Sequence, residues 1–105
     1  MSAEVYKLGA SLDSSNNVQE QEKILAIYEQ GKSVILDMTD CTYVSSAGLR
    51  VLLYSYKVAT SKGLKLYLVG VCDEVRDVMN MTGFEKFFEY FNTVEECQEK
   101  VKSED

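Results

Sequence analysis

The stretch VILDMTDCTYVSSAGLRVLL, residues 34–53, decides the fold. Val34, Ile35 and Leu36 form a short apolar run rich in β-branched side chains, closed by Asp37, Thr39 and Asp40. A run of that length bounded by turn residues predicts a buried strand. Beyond it, Leu49, Leu52, Leu53, Tyr56 and Ala59 recur at helical spacing, one apolar face of an amphipathic helix. The pair Ser45-Ser46 therefore stands between a strand and a helix. Serine is favoured there because its oxygen accepts an orphan N–H of the first turn. Gly48 falls inside that turn, where glycine costs up to roughly 1 kcal/mol relative to alanine. Such a glycine suits a place where another stretch of backbone comes close.

Working outward, residues 3–9 alternate well enough for a strand and lead into a turn over residues 9–13. Residues 14–17 are polar. Val18, Ile24, Leu25, Ile27 and Tyr28 give the following helix an apolar face, Glu20 and Glu22 an acidic outer face, and Gly31 its stop. After the central helix, residues 61–63 end it and residues 64–70 read as a third interior strand. Asp73 and Glu74 open a short helix at its positive end, with Val75, Val78 and Met79 inward and Gly83 as terminator. Residues 87–91 read as an aromatic strand packed in the core. Thr93 to Glu96 form a capping box for a last helix with Val94, Cys97 and Val101 on one face, and residues 102–105 are expected to fray. Strands and helices alternate without repeat or linker. That order predicts one α/β domain over residues 1–105, a mostly parallel sheet with helices packed on it.

Composition excludes several function classes. The formal net charge is −6, from 17 acidic and 11 basic residues. No Lys/Arg cluster occurs, which argues against nucleic acid or an anionic membrane surface as partner. Cys41, Cys72 and Cys97 are dispersed and the chain has no histidine. Neither a zinc site nor a Ser-His-Asp hydrolase can be built. There is no phosphate-binding loop or dinucleotide fingerprint. We expect no enzyme activity, cofactor or metal. Reduced structural thiols, no signal peptide and no spanning segment point to a cytoplasmic location.

The pattern Asp37-x-Thr39-x-x-x-Tyr43-Val44-Ser45-Ser46-Ala47-Gly48-Leu49 resembles the phosphorylation loop of the STAS domain, the fold of stand-alone bacterial anti-sigma factor antagonists. In that family a strand ends in Asp-Leu-Ser/Thr, a short turn with an aromatic follows, and Asp-Ser-Ser/Thr-Gly-Leu opens a helix. The likeness covers roughly residues 4–100, and its motif is moderately specific. It implies a mixed sheet of four or five strands, with about four helices mainly on one face. The phosphorylated residue, two before the glycine, falls on Ser46. The family's acidic residue falls on Ser45, and Ala47 stands where Ser or Thr is common. Asp37 and Thr39 border the loop. The family's first strand is missing or very short here, which leaves a sheet edge open to pairing with another chain, and a monomer or weak homodimer is expected.

The resemblance also implies a partner-switching cycle. The unmodified domain binds an anti-sigma factor that is also a serine kinase with a GHKL-type ATP site. Phosphorylation of Ser46 releases it, and a metal-dependent serine phosphatase resets it. Two other classes stay open: a stand-alone STAS regulatory subunit of a lipid or anion transporter, and a nucleotide- or lipid-binding module. Helical spacing places Arg50, Tyr54 and Lys57 on the side of the central helix opposite its apolar stripe, within reach of a partner.

Overall fold

The computed structural model describes residues 2–104 as one α/β unit. Its elements are β1 (Ala3–Lys7), β2 (Ser11–Leu12), α1 (Asn17–Glu29), β3 (Ser33–Asp37), β4 (Tyr43–Val44), α2 (Ser46–Ser61), β5 (Leu66–Val69), α3 (Asp73–Met81), a 3-10 turn (Glu85–Phe87), β6 (Glu89–Phe91) and α4 (Val94–Ser103). Four strands form one sheet in the order β1-β3-β5-β6, and β2 pairs with β4 in a second, two-stranded sheet. Every pairing is parallel. The expected mixed sheet is thus corrected to a wholly parallel one among the described residues. Each link between neighbouring strands of the main sheet carries a helix, and none is a tight hairpin of the kind that joins antiparallel strands.

Both faces of this sheet are covered, which is why its inner strands read as unbroken apolar runs. Val34 and Leu36 of β3, with Leu66 and Leu68 of β5, face α1, α2 and α3 through Ile24, Ile27, Tyr28, Val51, Leu52, Ala59, Val75 and Met79. Ile35, Tyr67 and Val69 face the other way, onto Cys97 and Val101 of α4. Three helices therefore lie on one face and one on the other. Burial among these side chains pushes the Cys97 thiol up to about 12, so it behaves as a small apolar group.

Several expectations shift at element edges. Val18 and Val78 are exposed at 62% and 38%, outside the apolar faces assigned to them, while Leu53 and Tyr56 are only half-buried. The aromatic strand shortens to β6, because Phe87 belongs to the 3-10 turn that brings Phe88 into the core. The tail expected to fray from Lys102 is helical through Ser103, and Glu104 lies 3.3 Å from Lys65 and 3.4 Å from the Tyr67 hydroxyl. Asp105 lies outside the described residues. β1 is an edge strand, consistent with the open edge expected for it.

Two buried hydroxyls, Tyr28 Oη and Ser55 Oγ, have no hydrogen-bond partner among the described residues. A buried polar group without a hydrogen bond costs about 1–3 kcal/mol. Tyr28→Phe and Ser55→Ala are each expected to stabilise the domain by about 1 kcal/mol, read as a higher midpoint in urea.

Candidate functional site

The C-terminal ends of β1, β3 and β5 lie at one end of the sheet, and their loops brace one another there. Leu8 N–H donates to Asp37 O at 2.9 Å, and Met38 N–H to Val69 O at 2.8 Å. The β3–β4 loop is then held on both flanks. On one side Thr42 N–H donates to Ala10 O at 2.9 Å and Ser45 N–H to Leu12 O at 3.0 Å. On the other, the Cys72 thiol reaches Cys41 O at 3.6 Å. Burial pushes the Cys41 thiol up, so it stays protonated beneath the loop.

Asp37 shapes the loop from within. Its Oδ1 accepts from the Thr39 N–H at 3.0 Å and from the Thr39 hydroxyl, a turn made by side chain to backbone. Thr39 in turn lies against Gly70, whose φ is +67° and where an added Cβ would sit 2.5 Å from Thr39 Oγ1. Asp37 and Thr39 are therefore brought together as a brace. Among the described residues Asp37 makes no hydrogen bond to Ser45 or Ser46.

The two serines take different parts. Ser45 is the N-cap of α2, with extended backbone, and its Oγ accepts from the Gly48 N–H at 3.2 Å. Leu49 N–H donates to Ser45 O at 2.8 Å. The free first-turn amides among the described residues are consequently those of Ser46 and Ala47, because Ser45 takes up the amides of Gly48 and Leu49. Ser46, the first helical residue, is exposed. The contrast has a stability signature. Ser45→Ala should cost about 1 kcal/mol through the lost cap, and Ser46→Ala close to nothing, as thermal melts of the two variants would read.

Gly48 is buried, and a Cβ built on it would lie 2.2 Å from Leu12 O and 2.9 Å from Val44 Cγ1. The close backbone approach expected for this glycine is the contact with Leu12. That contact sets the start of α2 directly against β2.

On the outer side of α2, Arg50, Tyr54 and Lys57 are exposed as expected, and with Leu53 and Gln21 of α1 they line a shallow groove between the two helices. Tyr43 was not singled out in the sequence as a surface residue, yet it is 57% exposed in the strand that leads into the serines. Its place in β4 explains this: Val44 turns inward, so its neighbour turns out. Among the described residues no group of three or more His, Cys, Asp or Glu is arranged to hold a metal ion.

Comparisons with known proteins fit this geometry. The family model of the STAS domain matches residues 2–97. A Bordetella bronchiseptica protein, BtrV, described as an anti-sigma factor antagonist, is 31% identical over 93 residues, covering 88% of this chain and 80% of that protein. Among solved structures, the anti-sigma factor antagonist SpoIIAA matches in its unphosphorylated form with TM-score 0.83 at 20% identity, over 97% of this chain and 90% of that one. The phosphorylated form of SpoIIAA, from Bacillus, matches with TM-score 0.74 at 21% identity, over 94% and 90%. A sulfate transporter family protein from Wolinella succinogenes shares the fold with TM-score 0.83 at 20% identity, over 98% of this chain and 88% of that one. The chain belongs to the STAS domain family, in its line of anti-sigma factor antagonists.

Proposed function

We propose that this chain is the phosphorylation-controlled member of a cytoplasmic partner switch. Unmodified, it binds an anti-sigma factor that carries a GHKL-type kinase site. Phosphorylated on Ser46, it lets go, and a metal-dependent serine phosphatase restores it. The chain is the substrate of this cycle and catalyses none of its steps. The observation that carries the reading is the division of labour between the serines: Ser45 is spent on the cap, while Ser46 is exposed beside it.

A phosphoryl group adds about −1.5 to −2 charges. At the first turn of α2 that charge meets the favourable end of the helix dipole and the free amides of Ser46 and Ala47. No acidic residue stands in that turn to oppose it. The fold therefore tolerates the modification, as the phosphorylated SpoIIAA structure illustrates for a relative of the same fold. The effect is felt by whatever docks on this end of the molecule, which makes it an interface switch. Loop 38–45, with Asp37 and Thr39 as its brace, and the surface formed by Ala47, Arg50, Tyr54 and Lys57, set in place by the buried Gly48, make up the proposed docking face. The transporter-subunit reading is supported by likeness of fold alone, whereas the antagonist reading also draws on a relative at 31% identity.

Co-purification from the native cell, followed by intact and site-resolved mass spectrometry, tests the assignment. The expected result is an anti-sigma factor in the complex and, after kinase treatment, one phosphate on Ser46. Phosphate on Ser45 alone, or a membrane transporter as the retained partner, contradicts it.

A further inference from the structure

We propose that Arg50 is the residue that reads the phosphate: phosphorylated Ser46 captures the Arg50 guanidinium one turn along α2 and withdraws it from the docking groove. This rests on Ser46 as the acceptor and adds an intramolecular step to the switch. Ser46 and Arg50 are both exposed and stand at i and i+4 of one helix. Side chains so spaced lie one above the other, roughly 5–6 Å apart at Cβ. The order is the favourable one, with the anion on the N-terminal side and the cation on the C-terminal side.

Arg50 is also available. Lys7, Lys32, Lys65, Arg76 and Lys102 each lie within ion-pair distance of an acid, but Arg50 has no such partner among the described residues. The groups that share its groove are Gln21, Leu53, Tyr54 and Lys57, none of them acidic. Nothing there competes with a phosphate for the guanidinium. Arginine matches phosphate oxygens with two parallel N–H donors, a geometry lysine lacks.

The consequence for the surface is twofold. In the unmodified protein Arg50 and Lys57 present exposed cations, unpaired among the described residues, on a molecule whose net charge is −6. On modification the surface gains an anion and loses the use of one of those cations. Both changes act against the same partner, so the switch responds more steeply than an added charge alone would make it.

The test needs no partner. Phosphoserine is installed at position 46 of the full chain by stop-codon suppression, and the phosphate is titrated by phosphorus NMR in the parent, Arg50→Gln, Arg50→Lys and Lys57→Gln proteins. A neighbouring cation favours the dianion, so the second ionisation should lie lower in the parent than in Arg50→Gln, by roughly half a pH unit. Arg50→Lys should restore part of that shift and Lys57→Gln should retain all of it. The Arg50 Nε–H signal should move and exchange more slowly with solvent on phosphorylation. Identical titration in the parent and Arg50→Gln would overturn the proposal. Because the phosphate is placed genetically, that failure is separate from a kinase choosing another residue, which the mass spectrometry above reads by itself.

Discussion

Gly48→Ala is expected to destabilise the domain by about 3 kcal/mol, although alanine is the better helix former. The added Cβ would stand 2.2 Å from Leu12 O, a backbone atom, and 2.9 Å from both Leu12 C and Val44 Cγ1. The valine methyl can rotate away, but the carbonyl cannot, because it accepts the Ser45 N–H at 3.0 Å. Relief requires separating α2 from β2. Overpacking of this kind costs about 1–3 kcal/mol or more. The strained hydrogen bond adds about 1 kcal/mol. Helix propensity returns at most about 1 kcal/mol. For a domain of this size the thermal midpoint should fall by about 15 °C. A fall of less than about 3 °C would show that the β2–α2 contact yields easily and does not fix the serine loop.

Phosphorylation of Ser46 is expected to weaken partner binding at least hundredfold, about 2.7 kcal/mol, while leaving the thermal midpoint nearly unchanged. The two readouts separate because the anion is welcome to the helix and unwelcome to the interface. At the end of α2 it meets free amides. Beneath a docked partner it must be stripped of water, and a buried charge without a partner costs several kcal/mol. Ser46→Asp and Arg50→Glu carry part of that change and should each weaken binding at least tenfold, about 1.4 kcal/mol. Ser46→Ala should bind as the parent does and resist phosphorylation. Normal melting of the Asp variant excludes unfolding as the cause of its lost affinity.

The elements that the sequence makes legible are those with strong periodicity and chemically distinct ends. Val34 to Leu36 declare an interior strand because both of their faces are covered, and the Leu49–Ala59 stripe declares α2. Gly31 and Gly83, with φ of +76° and +78°, end their helices where the sequence places the stops. Thr93 caps α4 through the Glu96 N–H at 3.1 Å, and the Glu96 carboxylate reaches back to Asn92. The β2–β4 pair is not legible, since two residues a side are too few to show a period of two. The all-parallel pairing is equally hidden, because it depends on which strands neighbour one another across helices.

The site divides along the same line. Arg50, Tyr54 and Lys57 are legible from local spacing along a single helix, Gly48 from its place in the first turn, and Ser46 from the loop's resemblance to the family pattern. What opposes Gly48 is not, because Leu12 lies 36 residues earlier in the chain and meets it only once the sheet has formed. The role of Asp37 is likewise set by the loop it braces through Thr39. The division between Ser45 and Ser46 needs the backbone itself, since only the residue with extended φ and ψ can turn its oxygen onto the first amides.

The most direct measurement is a calorimetric titration of the co-purified anti-sigma factor with two forms of the full chain, unmodified and carrying phosphoserine at position 46. The account predicts tight binding by the unmodified form and at least a hundredfold loss in the phosphorylated one, with matching thermal midpoints for the two free proteins. Equal affinity of the two forms would contradict it.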